Sequence, residues 1–391
     1  MTPRLKLPLM LALICGLLLA LAPSGAYAAK GMEVAVQDDA AMVQEIAKPG
    51  SREKALKLAT GLSATWVRAN VIWSYVVGKK NAKSKKEPKT IQYNWTGYDA
   101  LIDEAAARGM HVELSLAGAA PAYATGNHKI GPDRVKASVF KRFAKAAALH
   151  FGSRVTRYAI WNEPNYRGWL SPISKQAKLY RALYTSGYSA IKAANPAAKV
   201  LIGETSPYGT GRNNKNAQPP LQFLRGVVCA NARYKRARKC STLKTDGFAH
   251  HPYDFRHKVT YKYPGKDNVT LATLSRLTSA LTKLKKAKLL TTPTGGVPFV
   301  YLTEYGYFGS GKYKISESKR AKYLVQAFNL ALKNRRVKQM LQFVLIRPPS
   351  KYLSFDTSLA SASAKPGGAY KKLAAWAKKA AKAGRIAVVK K

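Results

Sequence analysis

The stretch YAIWNEPN, at residues 158–165, joins a short apolar run to a polar turn that carries Glu163. A second stretch, FVYLTEYGY at 299–307, has the same design, with an apolar run that reaches Glu304. Acids are scarce in this chain, which has 19 aspartates and glutamates against 67 lysines and arginines in 391 residues. Because runs rich in β-branched and aromatic residues are typical of strands, each stretch predicts a strand with a carboxylate at its carboxyl end.

Runs of this kind recur along the chain and alternate with amphipathic stretches rich in Ala, Lys and Leu. The alternation is typical of a parallel sheet covered by helices. Eight units over roughly 360 residues predict an α/β fold, a single (β/α)8 TIM barrel that spans residues 29–391. The predicted strands are MEVAVQ (32–37), TWVRANVIW (65–73), MHVELSLA (110–117), VTRYAIWNE (155–163), KVLIGETS (199–206), DGFAHHPY (246–253), FVYLTEYGY (299–307) and MLQFVLIRP (340–348).

The last segment, residues 369–391, predicts either the eighth helix of the barrel with a basic tail or a surface-binding helix. Leu373, Trp376 and Ala380 fall on one face at helical spacing. Because a barrel of this type needs an eighth cover, we favour the barrel helix.

The amino terminus has the pattern of a secretory signal peptide. Arg4 and Lys6 precede an apolar stretch at 7–21, and the small-residue sequence AYA follows and ends at Ala28. We therefore expect cleavage after Ala28 and a secreted protein, with a retained membrane anchor as the alternative. No later segment of the sequence is long and apolar enough to cross a bilayer.

Removal of residues 1–28 takes away Cys15 and leaves Cys229 and Cys240 as the remaining cysteines. An even pair in an exported chain predicts a disulfide that closes a small basic loop, although two separate thiols are the alternative. Two cysteines and six scattered histidines show no ligand spacing, so a zinc site is disfavoured and we expect no metal or cofactor.

The formal charge of +48 implies attraction to polyanions. The sequence carries no helix-turn-helix, zinc-finger or RNA-binding signature, and export argues against a nucleic-acid partner. Anionic cell-wall polymers or acidic polysaccharides fit an exported protein better. A general bias of the source toward Lys and Ala is the plainest alternative.

Active sites of (β/α)8 barrels lie at the carboxyl ends of the strands. Glu163 and Glu304 end the fourth and seventh predicted strands, which lie on opposite parts of the ring, so the two acids are expected to face each other across the mouth. Cleavage of an acetal between sugars needs such a pair, with one acid to protonate the leaving oxygen and one carboxylate to meet the developing cation.

The motif WNEPN at 161–165, together with LTEYG at 302–306, resembles the retaining (β/α)8 glycoside hydrolases of clan A, particularly families 5 and 39. The resemblance implies that Glu163 is the general acid and base and that Glu304 is the nucleophile. It also implies that Asn162 contacts the sugar 2-hydroxyl, and that the enzyme hydrolyses a β-linked polysaccharide or oligosaccharide by double displacement.

Further site residues follow from the same resemblance. Arg68 matches an arginine of the second strand that steadies the nucleophile, and the triplet HPY places His251 and Tyr253 after the sixth strand, where the phenol can reach the nucleophile. We expect Trp169 and Tyr307 to stack on sugar rings.

Two alternatives to this assignment remain. Glu204, at the end of the fifth predicted strand, is a rival carboxylate, which we expect to bind a sugar hydroxyl or to pair with a lysine. A non-catalytic barrel that binds anionic cell-wall polysaccharide is the alternative function.

We predict that the exported protein begins near Ala29, because the signal peptidase site follows the AYA sequence. Intact-mass measurement of the protein recovered from the culture medium checks this prediction. A medium form that retains residues 1–28 would contradict it.

Overall fold

Eight parallel strands form a closed barrel in which each strand pairs with its neighbours in sequence, and the last strand pairs with the first. The computed structural model describes residues 31–45, 49–349 and 355–389, so the predicted signal peptide lies outside the described residues. The single (β/α)8 barrel predicted from the sequence is confirmed. The strands are β1 (Glu33–Gln37), β2 (Trp66–Ile72), β3 (His111–Ala117), β4 (Arg157–Ile160), β5 (Lys199–Thr205), β6 (Gly247–His250), β7 (Val300–Leu302) and β8 (Val337–Phe343).

One longer helix follows each strand and covers the outside of the barrel. In the third helix, Val139, Phe140, Phe143 and Ala147 form the buried face, as the spacing of apolar residues at three and four positions requires. The eight helices are α1 (Ser51–Gly61), α2 (Thr96–Ala106), α3 (Ala137–Phe151), α4 (Gln176–Ala194), α5 (Pro220–Val227), α6 (Leu274–Lys286), α7 (Glu317–Lys333) and α8 (Gly368–Lys382).

Single-turn helices lie at Asp39–Met42, Trp73–Val76 and Lys79–Lys83, and a small two-stranded sheet joins Leu243–Lys244 to Leu290–Thr291. Among the described residues, no helix is long and apolar enough to cross a membrane.

The carboxyl-terminal helix α8 packs against the barrel and does not stand free at the surface. Its predicted apolar face is buried, and the indole of Trp376 lies 5.2 Å from Phe328 while its Nε1 donates to Asn329 Oδ1 at 2.8 Å. After the helix the chain returns to β1, where the N–H of Ala387 donates to Met32 O at 3.0 Å.

Several predicted strands extended too far at the carboxyl end. β4 stops at Ile160 and β7 stops at Leu302, so Glu163 and Glu304 lie in the turns beyond the strands and not on them. The backbone explains the early end of β4, because Trp161 has φ 71° and Glu163 has φ 37°, values that a strand cannot adopt.

The last strand is also placed differently from the prediction, since β8 starts three residues earlier than position 340 and ends at Phe343. Leu345 and Ile346 leave the sheet because their N–H groups donate to Asp38 Oδ2, at 3.2 and 2.8 Å. The carboxylate of Asp38 thereby joins the ends of β1 and β8.

The amino end of the barrel interior is filled by a buried arginine, Arg157. Its guanidinium lies 3.5 Å from the ring centre of Trp66 and 4.5 Å from that of Tyr301, and it pairs with Glu33 at 2.8 Å and Glu113 at 3.3 Å. This layer closes the barrel below the candidate site.

The disulfide between Cys229 and Cys240 is present, which confirms the pairing predicted from the cysteine count. The bridge closes the loop that follows α5, and within the loop Arg236 donates to the carbonyl of Lys288 at 3.1 Å.

We predict that both cysteines of the exported protein resist alkylation under denaturing conditions until a reductant is added, because the bridge joins Cys229 to Cys240. Peptide mass spectrometry should find two labels in the reduced sample and none without reductant. Labelling of either cysteine without reduction would contradict the bridge.

Candidate active site

A cleft of about 1070 Å3 opens at the carboxyl ends of the barrel strands. Both predicted acids line it, Glu163 from the turn after β4 and Glu304 from the segment after β7. Aromatic side chains form much of its wall, among them Tyr166, Trp169, Tyr208, Tyr253, Phe255 and Tyr313. The volume is large enough for a small molecule or for several units of a linear polymer.

The two acids meet at one buried histidine. His251 Nδ1 lies 3.1 Å from Glu163 Oε1 and 3.5 Å from Glu304 Oε2, and its other nitrogen, Nε2, lies 3.0 Å from Glu204 Oε2. The imidazole is therefore surrounded by carboxylate oxygens on both of its nitrogens. It is fully buried, whereas Glu163 and Glu304 keep 18% and 9% of their side-chain surface exposed.

Arg68, in the middle of β2, contacts two of the same carboxylates. Its Nη1 donates to Glu304 Oε1 at 3.0 Å, and its Nη2 donates to Asn162 Oδ1 at 3.0 Å. The guanidinium also donates to Glu204 and Gln37 and is almost completely buried. One cation thus fixes side chains that come from β1, from β5 and from the turns after β4 and β7.

The local backbone explains how Glu204 reaches Arg68. Gly203 pairs with Ala249 and Thr205 pairs with His250, so Glu204 is the extra residue of a bulge in β5, and it has φ 49°. Bulges of this kind redirect one side chain of a strand and are frequent beside active sites.

Burial and neighbouring charges have opposite effects on the pKa values of these groups. Burial disfavours the charged form of His251, but the carboxylates of Glu304, Glu163 and Glu204 outweigh it and raise the pKa of the imidazole to about 10. His251 is therefore an imidazolium near neutral pH, donating from both nitrogens.

The buried acids differ from one another in the balance of these forces. Burial raises the pKa of Glu304, while the positive charges of His251 and Arg68 act in the opposite direction. Burial also acts on Glu204, but there Arg68 and His251 prevail and lower the pKa. At Glu304 burial and the neighbouring carboxylates prevail and its pKa is raised, whereas at Glu204 the two cations favour the ionised form.

Five of the predicted site residues come together at the cleft surface, namely Asn162, Glu163, Trp169, Tyr253 and Glu304. The hydroxyl of Tyr253 donates to Glu304 Oε2 at 3.3 Å. Arg68, expected to steady the nucleophile, and His251 lie beneath the cleft, with their polar atoms on carboxylates.

Tyr307, expected to stack on a sugar ring, is buried. Its ring is 1% exposed and packs against Tyr305 and Tyr323, and its hydroxyl donates to the carbonyl of His257. It therefore has no face to offer to a sugar. Glu204 likewise neither pairs with a lysine nor lines the cleft, because Arg68 and His251 occupy its carboxylate.

Sequence reasoning missed Asp38 and Asp39, which follow β1 directly and line the cleft. The rule that found the other acids, a carboxylate just beyond an apolar run, also applies to them. It also missed Tyr263, whose ring centre lies 4.4 Å from that of Tyr208 on another part of the wall and which no strand pattern distinguishes from core residues.

The fold of this chain, with acids beyond β4 and β7, is the fold of solved glycoside hydrolases of families 39 and 5. One is a family 39 glycoside hydrolase from the gut symbiont Bacteroides cellulosilyticus WH2, with TM-score 0.64 and 17% identity over 89% of this chain and 64% of that one. This chain therefore spans less than two thirds of that protein's length.

Two other solved structures have the same barrel. A monomeric beta-xylosidase from Caulobacter crescentus CB15 has TM-score 0.57 and 16% identity over 89% of this chain and 69% of that one. A GH5_18 protein from Streptomyces cattleya, in complex with GlcNAc, has TM-score 0.59 and 13% identity over 90% and 80% of the two chains. No protein-family model and no curated protein sequence matches this chain.

We predict that the contribution of His251 to the free energy of unfolding falls as the pH rises. Its folded-state pKa lies above its ordinary value, so its contribution to the free energy of unfolding is complete below about pH 6.5 and is lost as the pH rises toward about 10. Between about pH 7 and 9 the advantage of the wild type over His251→Gln should shrink by about 1.4 kcal/mol per pH unit. Urea unfolding at several pH values measures this difference.

The adjacent His250 is a matched control with the opposite sign. Burial lowers its pKa to about 3, so its contribution is present above about pH 6.5 and is lost as the pH falls. His250→Gln should therefore leave the slope between about pH 7 and 9 unchanged. If the His251→Gln and wild-type curves run parallel in that range, His251 does not carry the proton.

Proposed function

We propose that this protein is an exported retaining glycoside hydrolase that cleaves a β-linked polysaccharide or oligosaccharide by double displacement. In this proposal Glu163 is the general acid and base and Glu304 is the nucleophile. The observation that supports it most strongly is that both carboxylates line one cleft and share a contact with His251 Nδ1, at 3.1 and 3.5 Å.

The shared nitrogen limits the distance between the two acids. Glu163 Oε1 and Glu304 Oε2 cannot be farther apart than the sum of their distances to His251 Nδ1. That limit is compatible with the separation of ~5–5.5 Å typical of retaining enzymes. It lies at the lower end of the ~6.5–9.5 Å range by which inverting enzymes make room for a water molecule.

The surroundings of the two carboxylates support different roles. Glu304 has Arg68 at 3.0 Å, Tyr253 at 3.3 Å and His251 at 3.5 Å. Three donors of this kind orient its carboxylate, and the two cations among them oppose the burial that raises its pKa. Glu163 is the more exposed of the two acids and has His251 as its hydrogen-bond partner. It can therefore exchange a proton with a glycosidic oxygen or with water.

The reaction proceeds in two steps. In the first, Glu304 attacks the anomeric carbon while Glu163 donates its proton to the glycosidic oxygen, so that a glycosyl ester forms and the leaving sugar departs as an alcohol. In the second, Glu163 takes a proton from water, the resulting hydroxide attacks the anomeric carbon, and Glu304 is released.

Asn162 and Trp169 contribute binding in this proposal. Arg68 occupies Oδ1 of Asn162, which leaves the amide NH2 group to donate to a sugar hydroxyl. Trp169 lines the cleft, and the N–H of the neighbouring Trp161 ring donates to its carbonyl at 2.7 Å, which fixes the backbone that carries it.

Export and the basic surface complete the proposal. The signal-like sequence at 1–28 directs the chain outside the cell, and the formal charge of +48 attracts it to anionic cell-wall polymers. A barrel that only binds such polymers is the alternative. The enzyme is favoured because both acids are open to the cleft with their cationic partners in place.

We predict that Glu304→Ala abolishes turnover, because the glycosyl ester cannot form, and that azide restores cleavage of an activated aryl glycoside with inverted configuration. Aryl release and product NMR measure the two effects. Glu163→Ala should lose most activity on poor leaving groups, and azide should then give a product of retained configuration.

Glu204→Ala provides the control, because Glu204 contacts the same Arg68 and His251 but does not line the cleft. Azide should not rescue this variant. Thermal melts show whether each variant is folded. The assignment fails if Glu163→Ala and Glu304→Ala are folded and keep near wild-type activity, or if Glu204→Ala is the variant that azide rescues.

A further inference from the structure

The charges that line the cleft are opposite in sign to the charge of the chain as a whole. Among the described residues, the cleft is lined by no lysine and by one arginine, Arg256, although the chain has 67 lysines and arginines. Five of the 19 acids line it, namely Asp38, Asp39, Glu163, Asp254 and Glu304. In the part of the chain that the structure describes, the basic side chains other than Arg256 therefore lie outside the cleft lining.

We infer that the cleft binds sugars that carry no negative charge, either neutral or amino-substituted, and discriminates against uronates, with Asp39 as a specificity-determining residue. The inference rests on the proposed glycosidase function and specifies its substrate class. The net charge alone would suggest that the polyanion bound by the exterior is also the polymer that is cleaved. Under this inference they are two different ligands.

Asp39 is tied to the reacting centre by a short series of contacts. Gln37 Nε2 donates to Asp39 Oδ2 at 2.6 Å, and the side-chain oxygen of Gln37 accepts from Arg68, which also holds Glu304 at 3.0 Å. The backbone N–H of Asn70, another cleft residue, donates to Asp39 Oδ1 at 2.9 Å. Two donors thus fix the carboxylate in the lining of the cleft that also contains Glu304.

The carboxylate of Asp39 has acceptor capacity beyond these two bonds. Burial raises the pKa of Asp39, while the bonds from Gln37 and Asn70 and the charge of Arg68 favour its ionised form. When ionised, the carboxylate has about four lone-pair directions, so it can also accept from the hydroxyl or ammonium group of a bound sugar. A sugar carboxylate offers no donor at neutral pH, and a like charge placed beside Asp39 in a partly buried site is repelled.

Arg256, the one arginine among the described lining residues, does not offset the excess of acids in the cleft. Arg256 is exposed and packs over Tyr313, with its Cζ 4.8 Å from the ring centre. Asp254, two residues earlier, contributes the opposite charge to the same segment and pairs with His257 at 2.8 Å. The segment therefore offers a sugar carboxylate a negative charge next to the positive one.

The aromatic part of the wall also suits uncharged rings. The rings of Tyr208 and Tyr263 stack with an interplanar angle of 6°, and the ring centres of Phe255 and Tyr253 lie 4.7 Å apart. Aromatic faces of this kind pack against the apolar C–H faces of sugars and provide no cation for a carboxylate.

The test compares pairs of aryl β-glycosides that differ only at carbon 6, the glucoside with the glucuronide and the galactoside with the galacturonide, together with the aryl glucosaminide. In each pair that is cleaved, the neutral member should have a kcat/KM at least about 100-fold above that of the uronide, and the glucosaminide, if cleaved, should also exceed the glucuronide. Asp39→Asn should narrow this ratio at least tenfold, chiefly by improving the uronide.

Asp133→Asn is the matched control, since Asp133 pairs with Arg134 at 3.1 Å and does not line the cleft. It should leave the ratio unchanged. The inference is overturned if a uronide is cleaved as well as its neutral partner, or if folded Asp39→Asn leaves the ratio as it was. In both cases the proposed glycosidase function would stand.

If no aryl glycoside is cleaved, the same panel is extended to neutral and uronate oligosaccharides, with binding measured by calorimetry at moderate salt. Neutral oligosaccharides should bind with an affinity that Asp39→Asn alters and Asp133→Asn does not. Preferential binding of uronate oligosaccharides in competition with a cleft-binding neutral ligand would overturn the inference. Failure of every neutral and uronate polymer to yield reducing ends would instead reject the proposed function.

Discussion

The guanidinium of Arg68 is the contact on which the candidate site depends. It lies in the middle of β2, almost fully buried, and it holds Glu304, Glu204, Asn162 and Gln37, which come from four different parts of the barrel. Planar geometry and a permanent charge allow one arginine to orient several acceptors at once, which a lysine at this position could not do. Loss of this cation would leave buried carboxylates without a partner, a change that is strongly destabilising in general, so the site and the fold share one support.

This contact belongs to a column of alternating charges inside the barrel. Arg157 at the amino end pairs with Glu113, and Glu113 Oε1 lies 3.9 Å from Arg68 Nε on the next layer toward the cleft. Beyond Arg68 come Glu204 and then His251, which carries the next positive charge. Opposite charges thus follow one another from the closed end of the barrel to the open cleft, so each buried charge has a neighbour of the opposite sign. A core of aliphatic residues would also fill the barrel, but it could not orient the carboxylates at the top.

The sequence was sufficient to predict the barrel, the disulfide and the acids Glu163 and Glu304, because each depends on a regular pattern: alternating strands and helices, an even pair of cysteines, and carboxylates just past apolar runs. It was not sufficient for features that depend on where a strand stops. The segment after Leu302 continues with aromatic residues, so Tyr307 was placed near the cleft, whereas the chain turns and buries its ring against Tyr305. The bulge at Glu204 has no signature in sequence, although it decides that this acid points to Arg68 and away from the cleft.

Backbone conformation at the strand ends connects these observations. Trp161, Glu163 and Glu204 all have φ in the left-handed region, which costs free energy for residues that have a side chain. Such conformations persist only where surrounding contacts over-determine them. Here His251 contacts both Glu163 and Glu204, and the indole of Trp161 donates to the carbonyl of Trp169. The barrel supplies the rigid frame and the buried cations supply the contacts. Together they hold Glu163 and Glu204 in backbone conformations that these residues would not adopt without those contacts.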